Sequence, residues 1–353
     1  MATLAEPMAT QATAQSPSSA HAVRVGVIGY GYWGANIVRN LRGVGARVEA
    51  VCDVEEEALQ RVAQAYPELP LTKDSAGVLT SAKIDAVAII TPVWTHFELA
   101  KAALQNGKHV FVEKPLAATS RQAEELIEVA EKHSLILMVD HTFLFTGAVR
   151  KIRQLIHSGT LGALYYYDST RVNLGLFQHD VNVVWDLAPH DISIMDYLVH
   201  ARPEAVSATG QSHFSGLEDV AFITVYFPDR MIAHINVNWL SPVKIRSTFI
   251  GGQRRMLVWN DLEADEKIRV YDRGVNVSKR KDVYELLVSY RSGDIWVPHI
   301  AGAEALQNEL GYFLECVIHK KSPINNGQAG LRVVKLLESA SRSLAKGGEL
   351  VYL

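Results

Sequence analysis

Cysteine is almost missing: the 353 residues contain two, Cys52 and Cys316. Two cannot build a disulfide framework in a chain this long. Without a Cys-x-x-Cys spacing they do not read as a zinc site either. A reducing cytoplasm suits such a chain. An excess of charge of one sign is missing too. The formal net charge is −3, so no strong field draws the protein to nucleic acid or to an anionic membrane. The one basic run, Lys279-Arg280-Lys281, is followed by Asp282 and reads as a solvated loop. No apolar run approaches the roughly 18–20 residues of a membrane-spanning helix. Residues 1–21 are rich in Ala, Ser, Thr, Gln and Pro. They lack the basic start and apolar middle of a secretory signal and read as a disordered tail.

What is present is apolar bulk and a pattern. Apolar residues make up 48% of the chain, and the length suits two domains. From Val23 onward, short apolar runs alternate with longer helical stretches. "VRVGVIG", "RVEAVCD", "DAVAIIT", "KHVFV" and "LILMV" suit parallel strands covered on both faces. Between the last two lies a helix over 120–133, with Ala123, Leu126, Ile127 and Ala130 on one face. Thr119 with Gln122 suits its capping box, and Thr95 with Glu98 suits another. This alternation predicts a doubly wound α/β sheet, a Rossmann domain, over 22–142.

Beyond it, residues 143–353 change character. After a helix near 146–158 and the run "ALYYYDSTRV", strand-like runs follow without helices between them: 204–212, 219–227, 231–240, 244–251 and 254–260. In "MIAHINVNWL" the apolar Ala233, Ile235, Val237 and Trp239 alternate with Ile232, His234, Asn236 and Asn238. That period of two predicts an α+β domain with an open, mostly antiparallel sheet. Two helices close the chain, the second over about 330–346 before Gly347-Gly348.

Gly29-Tyr30-Gly31-Tyr32-Trp33-Gly34 is a G-x-G-x-x-G placed between the first strand and a helix. That context is what a dinucleotide fingerprint requires. Gly29 allows the tight turn, Gly31 lets backbone approach a pyrophosphate, and Gly34 lets helix and strand pack closely. Tyr32 and Trp33 fill the loop and count with it as cofactor contacts. Asp53 ends the second strand, 19 positions after Gly34. A carboxylate there accepts hydrogen bonds from ribose hydroxyls and repels a 2′-phosphate. Val54 and three glutamates follow rather than Arg or Lys. NAD is therefore expected over NADP. The competing reading is a tight turn and a capping aspartate.

Two more segments end parallel strands, where open α/β sheets bind ligands. They are "TPVWTH", Thr91 to His96, and Glu113-Lys114-Pro115. An ammonium at Lys114 would polarise a hydroxyl or carbonyl oxygen; a plain surface lysine is the alternative. Asp186 and His190 in "WDLAPHDISIMDYL" are four apart and share a face of a helix. Pro189 places them in its first turn. An imidazole suits a general base, and a carboxylate can orient it. A capping aspartate and a structural histidine would look the same. No third ligand lies nearby, so no metal is expected. Arg171 and Asn173 precede this helix as candidate substrate contacts, with surface pairing to an acid the alternative for Arg171.

Together, Gly29-x-Gly31-x-x-Gly34, Thr91-Pro92 with His96, Glu113-Lys114-Pro115 and Asp186-x-x-x-His190 resemble the glucose–fructose oxidoreductase/inositol dehydrogenase family, written Gfo/Idh/MocA. The resemblance spans nearly all the chain after the tail. It implies hydride transfer between nicotinamide and a sugar-like alcohol or ketone. It implies Lys114, Asp186 and His190 as the catalytic triad. Thr91, Pro92, His96 and Glu113 become cofactor-side residues, and the Lys114–Pro115 bond becomes cis. Where many relatives carry glycines, this chain reads "NVVWD", so Trp185 is expected to reshape the substrate pocket. The look is nearest to nucleotide-sugar enzymes. A homodimer or homotetramer through the C-terminal sheet is also implied.

Three classes of function follow. The first is an NAD-dependent sugar or nucleotide-sugar dehydrogenase/ketoreductase, a free-sugar or inositol dehydrogenase included. The second is glycoside elimination or hydrolysis with transient use of NAD, which stoichiometric NADH formation would separate from the first. The third is a non-catalytic dinucleotide sensor, which would need no Lys114, Asp186 and His190 together.

Overall fold

A computed structural model describes residues 22–175, 177–279 and 286–353. The expected tail, and Arg280 and Lys281 of the basic run, lie outside the described residues.

The first half runs β1 (Arg24–Ile28), α1 (Gly34–Gly43), β2 (Arg47–Cys52), α2 (Glu56–Ala65), β3 (Leu71–Thr72), α3 (Ser75–Thr80), β4 (Ala86–Ile89), α4 (Val93–Gln105), β5 (His109–Val112), α5 (Ser120–Lys132) and β6 (Leu137–Val139). Its six strands pair in parallel in the order β3-β2-β1-β4-β5-β6. This is a Rossmann sheet, with a switch point beside β1 and β4. β4 is buried along its whole length, which explains its unbroken apolar sequence. α5 buries Ala123, Leu126, Ile127 and Ala130, and the Thr119 hydroxyl accepts from Gln122 N at 3.2 Å. Thr95 does not cap α4. The helix starts earlier, behind Pro92, and Thr95 Oγ1 instead bonds Pro92 O and Thr91 Oγ1.

The second half follows with α6 (Gly147–His157), β7 (Leu164–Leu174), α7 (Val183–Leu198), β8 (Ala205–Gln211), β9 (Val220–Tyr226), β10 (Ile232–Asn238), β11 (Leu240–Gly252), β12 (Met256–Asn260), β13 (Ile268–Lys279), β14 (Leu286–Trp296), α8 (Ala305–His319), α9 (Gly327–Ala345) and β15 (Val351–Tyr352). Its strands form one sheet in the order β14-β13-β12-β11-β7-β10-β9-β8-β15. Only β7 and β10 run parallel; the other pairs are antiparallel. On β10, Ala233, Ile235 and Val237 are buried and their neighbours are not, the alternation read from the sequence. α7 and α9 cover the inner face, while Phe222, Ile232 and Phe249 remain exposed on the other.

α9 packs on α7 of its own half and also on α5 and β6 of the Rossmann half. Asn325, just before it, bonds Val139 through both backbone and side chain. The last helices thus hold the two sheets together, and Lys114, just past the end of β5, reaches the first turn of α7.

Candidate active site

The glycine loop is shaped as its sequence predicts. Gly29 has φ of +99°, and a Cβ there would lie 2.2 Å from Ile90 O. A Cβ on Gly34 would lie 2.6 Å from Gly29 O. Both glycines are forced by the protein's own backbone. Gly31 is different: an added Cβ would meet nothing within 4 Å. Its openness fits an incoming pyrophosphate rather than internal packing.

Beside the loop lies a cleft of about 800 Å³, whose wall includes Gly29, Gly31, Asp53, Thr91 and Pro92. The Asp53 carboxylate accepts from Tyr30 N at 2.6 Å and Glu55 N at 2.9 Å. These bonds aim it across the loop. The cleft also reaches Arg61, which sequence reasoning missed. Arg61 donates to Tyr30 O at 3.2 Å, so its guanidinium is already engaged. Tyr32 and Trp33 are exposed but do not line the cleft, while Trp94 stands exposed in its wall.

His96 lies inside the fold, not in the cleft wall. Its Nδ1 is 2.9 Å from Pro115 O and its Nε2 2.7 Å from Thr91 O. It ties the two loops that end β4 and β5. Burial pushes its pKa down, while the two carbonyls pull it back up. Glu113 also turns inward, against Asp140. Burial, reinforced by the Asp140 charge, raises its pKa well above the usual carboxyl range. Glu309 on α8, fully buried near the same aspartate, is raised in the same way. Sequence reasoning missed this carboxyl cluster.

Lys114, joined to Pro115 by a cis bond, reaches across to α7. Its Nζ donates to Asp186 O at 2.9 Å and lies 3.7 Å from Asp186 Oδ1. The other carboxylate oxygen accepts from Trp239 Nε1 at 3.0 Å. Asn173 and Trp239 both crowd Gly175, which puts Asn173 beside that indole.

α7 starts where Asn182 caps it, accepting from Trp185 N at 3.1 Å. Asp186 falls in the first turn, as expected. Pro189 does not: it sits a turn deeper, because Asn182 starts the helix at Val183. Its missing N–H leaves the Trp185 carbonyl without a helical donor.

His190 is partly exposed as a residue, but its Nδ1 is sealed off without a partner. The Phe143 ring meets it edge-on at 5.0 Å. Arg171 covers that ring at 4.4 Å and Arg246 at 5.7 Å. Burial first, then the charges of Lys114, Arg171 and Arg246, hold the His190 pKa well below its ordinary value. At neutral pH it is an uncharged imidazole, able to take a proton.

Arg171 is not free to meet a ligand through its Nε. That atom donates to Asp191 Oδ2 at 2.5 Å, with both residues buried. The pairing with an acid is real, but it lies in the interior, not on the surface. Trp185 points toward α9, where its Nε1 donates to Ser341 Oγ at 2.9 Å.

Two family models match the chain: an oxidoreductase family with an NAD-binding Rossmann fold over 23–141, and the GFO/IDH/MocA C-terminal domain over 149–258. The chain belongs to the Gfo/Idh/MocA oxidoreductase family. It is therefore an oxidoreductase built on an NAD-binding domain. Among similar proteins is a UDP-N-acetylglucosamine 3-dehydrogenase of Acidithiobacillus ferrooxidans, 26% identical, covering 88% of this chain and 94% of the relative. Another is the scyllo-inositol 2-dehydrogenase (NAD(+)) of Bacillus subtilis, 26% identical over 86% and 89%. A levoglucosan dehydrogenase solved with NADH and levoglucosan shares the fold, with a TM-score of 0.80 at 20% identity over 94% of this chain and 99% of that one.

Proposed function

We propose that this oxidoreductase moves a hydride between NAD and a secondary alcohol or ketone of a sugar, a nucleotide-linked sugar being the favoured substrate. One observation carries the reading. Lys114 arrives from the Rossmann half, Asp186 and His190 arrive from the other, and Lys114 contacts Asp186 directly while its charge reaches His190. A full-length likeness to a UDP-sugar dehydrogenase supports the nucleotide-linked choice.

In this reading Gly29, Gly31, Gly34 and Asp53, with Tyr32, Trp33, Thr91 and Pro92 around them, hold the dinucleotide. His96 and Glu113 shape those loops from behind. The bound nicotinamide supplies the hydride acceptor or donor. The protein's part is proton transfer and orientation. Neutral His190 takes the hydroxyl proton. Lys114, anchored on the Asp186 carbonyl, gives a hydrogen bond to the same oxygen and steadies its developing charge. Asp186, pinned by the Trp239 indole, keeps that ammonium in place. Asn173 borders the substrate, Arg171 acts from behind His190 through the Phe143 ring, and Trp185, bonded to Ser341, braces the start of α7 against α9 rather than reshaping the pocket. Residues 22–142 and 143–353 serve as cofactor and substrate units. The exposed face with Phe222, Ile232 and Phe249 suits a second copy of the chain, giving a homodimer or homotetramer. The two free, buried cysteines suit the cytoplasm. Among the described residues, no helix is long and apolar enough to cross a membrane.

The test is a screen of purified protein for NADH formation with free sugars, inositols and UDP-sugars. Lys114→Ala and His190→Ala should each lower turnover by about 10²–10⁴-fold while NADH still binds. Wild-type turnover in both variants would remove the assignment of roles. No NADH from any substrate would remove the dehydrogenase reading.

A further inference from the structure

The site leaves one proton without a route. Oxidising a hydroxyl sends its proton to His190, and that proton must reach solvent before the next cycle. In the dehydrogenase reading, substrate and cofactor fill the cleft side. On the other side, His190 Nδ1 is buried without a partner.

His141 follows β6 and is 1% exposed. Both of its ring nitrogens are also buried without a partner. Buried imidazoles usually satisfy at least one nitrogen, so a doubly orphaned ring calls for a reason. On one side, the His141 charge bears on His190, and the Lys114 charge bears on both rings. On the other side, His141 lines a polar cavity of about 290 Å³ with Arg153, Ser193, Asp196 and Arg332. That is room for several waters, with polar partners for each. Ser193 belongs to the same helix as His190, and its hydroxyl donates to His190 O at 2.8 Å. The cavity is thus the next compartment along α7.

Resting on the dehydrogenase reading, we propose that His141 is the proton exit: it accepts the proton that leaves His190 and passes one to water in the cavity walled by Ser193, Asp196 and Arg332. One N–H bond on His190 breaks as one forms on His141, directly or through a water. The ring then turns an N–H toward the cavity, and that proton leaves to a cavity water. No electrons move, and the ring ends neutral. Running backward, the same chain delivers a proton for ketone reduction. His141 touches no substrate and acts only through His190.

The charges around the ring agree with transit rather than storage. Lys114 faces it from the end of β5, His190 from α7 and Arg332 from α9, with Asp196, Arg153 and His200 along the cavity. Burial, then Lys114 and Arg332, push the His141 pKa down to about 3. A proton does not settle there.

His141→Phe and His141→Gln in the full-length protein test this, with NAD and a sugar active in the screen. Both should lose about 10-fold or more in kcat for oxidation. KM for the sugar and NADH affinity should stay unchanged. The solvent deuterium isotope effect on kcat should rise, and added imidazole should restore rate to both. A space-filling histidine would change neither the isotope effect nor the response to imidazole. Should His141→Phe not fold, His141→Gln carries the test. Unchanged kcat, or a loss with no rescue and no isotope change, overturns the relay. Wild-type protein that binds NADH but turns over no sugar overturns the dehydrogenase reading and the relay with it.

Discussion

Gly31 and Gly34 lie three residues apart in one loop, yet a methyl group on each should fail in opposite ways. In Gly34→Ala, the new Cβ would sit 2.6 Å from Gly29 O. Backbone must then move, and overpacking of this kind costs about 1–3 kcal/mol. In Gly31→Ala, the new Cβ meets nothing within 4 Å, and no left-handed φ opposes it. The unliganded fold should lose nothing, and reduced chain entropy can add about 0.4–1 kcal/mol. The same methyl occupies the space a pyrophosphate would take. Losing one hydrogen bond to a charged group there costs about 1.5–3 kcal/mol. That is about 10- to 150-fold in NADH affinity. Two measurements separate the cases, urea unfolding without ligand and NADH fluorescence titration. Gly31→Ala should unfold like wild type and bind weakly. Gly34→Ala should unfold early. If Gly31→Ala binds NADH as wild type does, the cofactor does not use this loop as the cleft indicates.

Three further substitutions probe what lies behind the site. Asp191→Asn strips the buried Arg171 guanidinium of its counter-ion, so unfolding in urea should show a loss of about 3–5 kcal/mol; a loss under 1 kcal/mol would mean Arg171 is not truly desolvated. Glu309 has a raised pKa in the native state, so its contribution is present at pH near 4 and fades as pH rises and the buried group must ionise or stay protonated at a cost. Glu309→Gln removes that cost, and the variant should gain more on wild type at pH 8 than at pH 5; an equal difference at both would contradict the raised pKa. Trp239→Phe removes the indole donor to Asp186, and kcat/KM should fall about 10-fold or more with NADH affinity unchanged; unaltered kcat/KM would show that Asp186 needs no such support.

The glycine loop, Asp53, Lys114 and the Asp186–His190 pair were legible because each couples a residue type to a place in a short pattern. Period and chemistry there are local. The partners were not. Trp239 meets Asp186 from 53 residues away, and nothing in either segment signals the other. Arg171 was visible as a cation, but its buried partner Asp191 lies on α7, one residue past His190, and reads as ordinary helix polarity. β13 and β14 escaped notice because Asp272 on one, and Arg291 and Asp294 on the other, interrupt their apolar runs. The Pro189 misplacement has a different origin. A proline marks a first turn only if nothing upstream can start the helix, and Asn182 can.

The relative placement of Lys114, Asp186 and His190 follows from the last helix rather than from either sheet. Lys114 belongs to the Rossmann half, and its 2.9 Å bond ends on a carbonyl of the other half. A lysine side chain is flexible, so that contact alone cannot fix two domains. α9 packs on α7, which carries Asp186 and His190, and on α5 and β6, which flank the strand leading to Lys114. Glycine at 330 makes this close fit possible, since a Cβ there would lie 2.8 Å from Val139 Cγ2 and 3.0 Å from Leu116 Cδ2. Arg332 on the same helix grips Asp196 of α7 with two bonds of 2.7 Å. A rigid element gripping both partners sets the separation across the cleft more firmly than any bond inside it. The candidate proton-handling groups therefore come from the first two hundred residues, and the spacing between them is set from the last thirty.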